Sequence, residues 1–195
     1  RVTFMIIMLI LSGFIVFGKE FLLIWVGEGY TEAYYVAIVV MIPFSVDLAQ
    51  NLALAILQVK KQYGFRAKIY LLSAMINVVT TVILTSYFGI IGAAISTGLS
   101  MFITSGLIMN WYYLKKASLD IVKFWKESFK VIAASMAIMI LALLIKKYIS
   151  WNSAGLLQLG MQILLFVSIY VCMIYKFIMT SEERKQILAF VKRKL

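Results

Sequence analysis

Apolar runs as long as a bilayer is thick dominate this chain. Six of them follow one another, at about Val2–Phe17, Ala33–Leu57, Ala67–Tyr87, Ile91–Tyr113, Val131–Ile149 and Ala154–Met179. A helix of about 20 apolar residues crosses the hydrocarbon core. Composition agrees: 64% of the residues are hydrophobic and 14% charged, against about 45–50% and 25% in soluble domains. The expected fold is an all-α integral membrane protein with six transmembrane helices.

The charges set an orientation. Lys and Arg number one in the first connection (Lys19) and four in the second (Lys60, Lys61, Arg66, Lys68). The third has none, the fourth has five (Lys115, Lys116, Lys123, Lys126, Lys130), the fifth has two (Lys146, Lys147), and the tail is strongly basic. Rich and poor connections alternate. By the positive-inside rule the 59–68 loop, the 114–130 linker and the C-terminus face the cytoplasm, so both ends of the chain lie inside. Lys146 and Lys147 break the pattern, and long side chains near a helix end can snorkel outward. The net charge of +11 thus reads as topology and contact with anionic lipid rather than with nucleic acid.

The second run carries an internal polar patch. Pro43 precedes Asp47, Gln50 and Asn51. The last three are spaced i, i+3, i+4 and share one helix face. Pro43 removes a helix hydrogen bond one turn before Asp47 and is the expected hinge. A mid-membrane aspartate costs about 2.5–3.5 kcal/mol on insertion scales, so the face needs water, a ligand or another helix. Two readings of Asp47 stand side by side: a carboxylate on a substrate or ion pathway, and a carboxylate satisfied by a neighbouring helix. Asn77 of the third run is within the same reach.

Two further stripes recur every four residues: Ser73, Asn77, Thr81, Thr85, and Gly92, Ser96, Ser100, Thr104. Small and hydroxylated residues at this spacing are first of all packing seams. Between residues 118 and 130, Ile121, Phe124, Trp125 and Phe129 face one way with lysines flanking, the pattern of an interfacial helix. Thr180 and Glu183 form a capping-box pair opening a final basic amphipathic helix.

No Walker A sequence or glycine-rich nucleotide loop is present. There is no histidine and one cysteine, Cys172, which excludes an internal disulfide and a histidine- or multi-cysteine metal site. No catalytic constellation is visible in the sequence, and no cofactor is expected. The chain opens Arg-Val-Thr-Phe without an initiator Met, and the expectation is a piece of a longer protein.

Three segments together carry a family likeness: Phe17-Gly18-Lys19 with Trp25-Val26-Gly27-Glu28-Gly29-Tyr30-Thr31-Glu32-Ala33, then Leu57-Gln58-Val59-Lys60-Lys61-Gln62-Tyr63, then Asn77-Val78-Val79 with Tyr87-Phe88-Gly89-Ile90-Ile91-Gly92-Ala93-Ala94-Ile95-Ser96-Thr97. In this order the chain resembles, from about Ile10 to Leu114, the C-terminal part of polysaccharide-transport (Wzx-type O-antigen and capsule repeat-unit) flippases. These belong to the multidrug/oligosaccharidyl-lipid/polysaccharide exporter superfamily. The resemblance implies the C-terminal portion of a two-lobed exporter of about 12–14 helices with an internal repeat. It divides the chain into residues 1–114 of the C-terminal lobe, a cytoplasmic amphipathic linker 115–130, two added peripheral spans 131–179 and a basic tail 180–195.

The resemblance also implies a function. Such proteins flip undecaprenyl-diphosphate-linked oligosaccharides across the bacterial inner membrane by alternating access, for surface polysaccharide, without acting as enzymes. Membrane lipid, a polysaccharide polymerase and chain-length proteins are the implied partners. Asp47, Gln50, Asn51 and Asn77 are the expected pathway residues, Pro43 the expected hinge, and cavity cations are expected upstream of this chain. A cation-coupled multidrug antiporter of the same superfamily and a non-transporting scaffold of a synthesis complex are the rival expectations.

Overall fold

The computed structural model describes residues 1–50, 57, 63–116, 120–148 and 155–185. Among these the backbone is helical, with no strand. Helix α1 spans Val2–Trp25, a short 3-10 turn Glu28–Tyr30 follows, and α2 spans Thr31–Ala49. Next come α3 (Tyr63–Met101), a π-helical stretch (Phe102–Ile108) and α4 (Met109–Lys115), then α5 (Ile121–Tyr148) and α6 (Leu156–Met173) with a π-helical end (Ile174–Ile178). Five helices are long and apolar enough to cross a membrane, and one of them, Gly64–Lys115, has 52 residues.

That long element is two spans. A straight helix of its length would reach about 78 Å, more than twice the hydrocarbon core. It breaks at Gly89, where φ is 57° and ψ is −138°, a conformation only glycine adopts without strain. The chain then returns on itself so closely that a Cβ at Gly92 would lie 2.1 Å from the Leu84 carbonyl oxygen. Counted as a hairpin, it brings the spans to six. The protein is an all-α, multi-pass membrane protein.

The two four-residue stripes form the inside of this hairpin from Ser73 to Thr81 and from Gly92 to Thr104, whereas Thr85, next to the turn, is exposed. Ser96, Ser100 and Thr104 are buried. Thr104 bonds to the Ser73 hydroxyl at 3.0 Å, and Ser96 Oγ donates to the Asn77 carbonyl at 2.9 Å. Thr81 Oγ1 donates to Asn77 Oδ1 at 2.8 Å, and Asn77 Nδ2 to Thr97 Oγ1 at 3.3 Å. Thr80 and Ser96 are also hydrogen-bonded. Small side chains let the backbones approach, and their hydroxyls find partners across the gap. The opposite face of the first arm presents Leu71, Met75, Val78 and Val82 outward, 61–71% exposed. Polar inside and apolar outside suits lipid or a further helix.

The chain divides into two compact units, Leu22–Lys126 and Arg1–Phe21 with Glu127–Leu195. In the first, α2 packs on the α3 hairpin. A Cβ at Gly98 would come within 3.1 Å of the Val39 carbonyl oxygen, so glycine sets the closeness of that crossing. At one end Leu57, Ile69, Met109, Tyr113 and Ile121 form a buried cluster, against which Phe65 stacks on Tyr112 with ring centroids 4.0 Å apart.

In the second unit α1 packs with α5 and α6. Phe17 meets Phe166 edge-on at 5.6 Å. The buried Tyr170 hydroxyl lies 2.7 Å from Ser135 Oγ and donates to the Met5 carbonyl at 3.1 Å. Lys146 turns inward to Glu20 at 2.6 Å and to the Val16 carbonyl. It does not snorkel: a carboxylate one turn beyond Val16 offers a better partner than distant water. Arg1 reaches Glu127 at 3.2 Å and Glu183 at 3.3 Å.

Several boundaries differ from the expected ones. Helix α1 runs through Gly18, Lys19 and Glu20 to Trp25, because a single Gly is tolerated inside a helix. Helix α2 ends at Ala49 with Gln50 as its cap, so Asp47 sits in the last turn rather than mid-span. Helix α3 begins at Tyr63, which puts Arg66 and Lys68 on a helix instead of a loop. The expected interfacial helix and the fifth span are one helix, Ile121–Tyr148. That sequence holds neither Gly nor Pro, so nothing local ends the first part. The Thr180–Glu183 capping box is present, with Thr180 N–H on Glu183 Oε2 at 2.8 Å and Glu183 N–H on Thr180 Oγ1 at 3.4 Å. The helix bodies expected at 51–56 and 186–195, and most of the basic loop 58–62, lie outside the described residues.

Candidate functional site

The polar residues of α2 meet partners at the end of the helix that leads toward α3. Asp47 Oδ1 lies 3.3 Å from Arg66 Nη2. Arg66 sits in the first turns of α3, and Tyr70 follows it at i+4, on the same face. The Tyr70 hydroxyl donates to the Asp47 carboxylate at 3.1–3.2 Å and accepts from Arg66 Nε at 3.0 Å. Arg66 Nη1 donates to the Tyr113 hydroxyl of α4 at 2.9 Å, and the guanidinium lies 5.0 Å from the Tyr70 ring centre. Three helices thus converge on one ion pair.

Burial makes this pair consequential. The Arg66 side chain is 4% exposed and that of Asp47 14%. A buried guanidinium needs most of its donors filled, and two phenols and a carboxylate fill them here. The pair is neutral as a unit, which removes the cost of an isolated charge near lipid.

A second network adjoins it. Gln50 Nε2 donates to Asn110 Oδ1 at 3.0 Å, and Trp125 Nε1 donates to the same oxygen at 3.1 Å. Asn110 Nδ2 donates to the Gly106 carbonyl. Gln50 is buried, and its Oε1 has no hydrogen-bond partner among the described residues. Beside these groups opens an apolar cavity of about 470 Å³, walled by Pro43 and Val46 of α2, Phe102 and Gly106 of the π-helical stretch, and Asn110 and Trp125. Its size is that of a small-molecule pocket.

The expected site residues therefore separate. Asp47 and Gln50 sit at the same helix end, each in a network. Pro43 lies one turn away on the cavity wall. Asn77 is in the hairpin seam, with Thr81, Ser96 and Thr97 around it. Asn51 lies outside the described residues. Arg66, Tyr70, Asn110, Tyr113 and Trp125 were not anticipated as partners. Arg66 counts as a loop cation when the third span is started at Ala67. Starting it at Tyr63 sets Phe65 and Ile69, and Arg66 and Tyr70, at i, i+4, a signal present in the sequence.

No family model and no solved structure matches the chain. A curated relative does: the chain is 32% identical over 105 residues to the probable low-salt glycan biosynthesis flippase Agl15 of Haloferax volcanii. The match covers 52% of this chain and 21% of that protein. The chain thus spans about a fifth of the length of the curated relative it matches, and over that stretch it is similar to a flippase.

Proposed function

We propose that the protein carrying this chain flips lipid-linked oligosaccharide units across a membrane for glycan assembly, working by alternating access and not as an enzyme. The observation that carries this reading is the 32% identity with a glycan biosynthesis flippase over 105 residues. The architecture is compatible with it: six spans, polar seams between helices, and buried or half-buried ionisable groups held in pairs. The finer reading places the protein in the bacterial inner membrane with both ends of this chain cytoplasmic. Its substrate there is an undecaprenyl-diphosphate-linked repeat unit of O-antigen or capsule, handed on to polymerase and chain-length proteins. The relative's name supports glycan biosynthesis and says nothing of O-antigen or capsule.

In this reading Asp47 and Gln50, at the end of α2, border the substrate or ion pathway, and Asn51, outside the described residues, belongs to the same pathway. Arg66 holds Asp47 in place, and a diphosphate can compete with that carboxylate for the guanidinium when the pair opens. Asn77 acts in the hairpin seam. The test is surface glycan in cells whose only copy of the full-length protein carries Asp47→Ala or Asp47→Asn. Reduced glycan at normal membrane levels of the protein is expected. Normal glycan at normal levels would refute a pathway role for Asp47, and altered drug sensitivity with normal glycan would favour a multidrug antiporter.

A further inference from the structure

We propose that the Leu22–Lys126 unit contains a two-helix hinge, with Pro43 of α2 on one side and the π-helical stretch Phe102–Ile108 on the other. The inference goes beyond the proposed function, because it concerns how this unit bends and needs no particular substrate.

Proline has no N–H, so Pro43 leaves the carbonyl four residues earlier, Val39, without its helical donor. That carbonyl is the atom met at Gly98: a Cβ there would lie 3.1 Å from Val39 O and 3.7 Å from the Pro43 ring. Glycine lets the next helix pass the released carbonyl closely, with no side chain to lock it. A few residues on, that same helix changes from α to π, the Met109 N–H bonding back to the Thr104 carbonyl, five residues before it. Prolines and π-bulges are two of the named causes of helix kinks, and π-bulges concentrate at functional sites. Both weak points line the same cavity of about 470 Å³. A well-packed crossing would oppose bending, because packed interiors deform little. A void between two weakened helices leaves room for it. Asp47 and Gln50 lie on the far side of Pro43, so a bend there carries both networks with it.

The test uses the full-length protein with spin labels at Phe44 and Leu107, both exposed, one on each side of the cavity. Two inter-label distances are expected in wild type, and one after Pro43→Ala, which restores the missing donor. Transport of lipid-linked glycan by Pro43→Ala is expected to fall about tenfold, while its thermal midpoint stays level or rises. A single, unchanged distance in both proteins would overturn the hinge. So would two distances surviving in Pro43→Ala with a wild-type rate. If Pro43→Ala does not fold, Gly106→Leu, which fills the cavity from the π side, is read in the same way. Collapse of two distances to one in a protein that moves no glycan would uphold the hinge and refute only the substrate.

Discussion

Replacing Asp47 by Asn, Arg66 by Gln, and both together isolates the ion pair at the end of α2. At 3.3 Å the attraction between unit charges is about 5 kcal/mol for an effective dielectric of about 20. Desolvation offsets much of it, and removing one partner of a buried pair costs about 3–5 kcal/mol because the other charge is stranded. The two variants should differ. After Asp47→Asn, Arg66 keeps the Tyr70 and Tyr113 hydroxyls, so the loss falls at the lower end, about 3 kcal/mol. After Arg66→Gln, Asp47 keeps only the Tyr70 donor among the described residues, and the upper end, about 4–5 kcal/mol, is expected. The double variant strands no charge, so its loss should fall short of the sum by about 2 kcal/mol or more. Thermal unfolding of the purified full-length protein in detergent measures this, as the ranking of the three midpoint shifts and the shortfall of the double variant. A double variant that loses as much as the two single ones combined would mean that Asp47 and Arg66 do not interact.

The hairpin offers a second check. Gly92→Ala should abolish stable expression, since its methyl would sit 2.1 Å from a backbone oxygen, whereas Gly160→Ala, with nothing within 4 Å, should be neutral or stabilising by up to about 1 kcal/mol; equal expression and equal melting of the two would contradict the turn geometry. In the seam, Ser96→Val removes a fully buried hydroxyl and leaves Asn77 and Thr81 short of partners, for an expected loss of about 1–3 kcal/mol in thermal unfolding. Ser86→Val, on an exposed hydroxyl that bonds only its own helix, should lie within about 0.5 kcal/mol of wild type.

The spans were legible because lipid imposes one constraint on every residue of a crossing helix, and apolar runs record it directly. The seam was legible for a related reason. Ser73, Asn77, Thr81 and Gly92, Ser96, Ser100, Thr104 keep a four-residue spacing that makes sense only on a packed face. The helix ends were harder. Asp47 looked mid-span because apolar residues continue to Leu57, and hydropathy does not register that the described helix caps at Gln50. Arg66 looked like a loop residue because a charge at a span's edge favours water until a carboxylate and a phenol from other helices, Asp47 and Tyr113, join Tyr70 of its own helix around it. Asp47 and Tyr113 are brought there by the crossing of α2, α3 and α4, and spacing within one helix carries no record of such a crossing. Lys146 was read as snorkelling for the same reason, its Glu20 partner being over a hundred residues away in sequence.

The central claim is that this chain belongs to a machine that moves lipid-linked glycan. Its most direct test is the full-length protein reconstituted into liposomes holding a fluorescent undecaprenyl-diphosphate oligosaccharide, with an impermeant reagent quenching the outer leaflet. Wild type should bring the inner-leaflet pool within reach of the quencher, and Asp47→Ala should slow that approach at equal protein incorporation. An inner-leaflet pool as well protected with the wild-type protein as in empty liposomes would contradict the account.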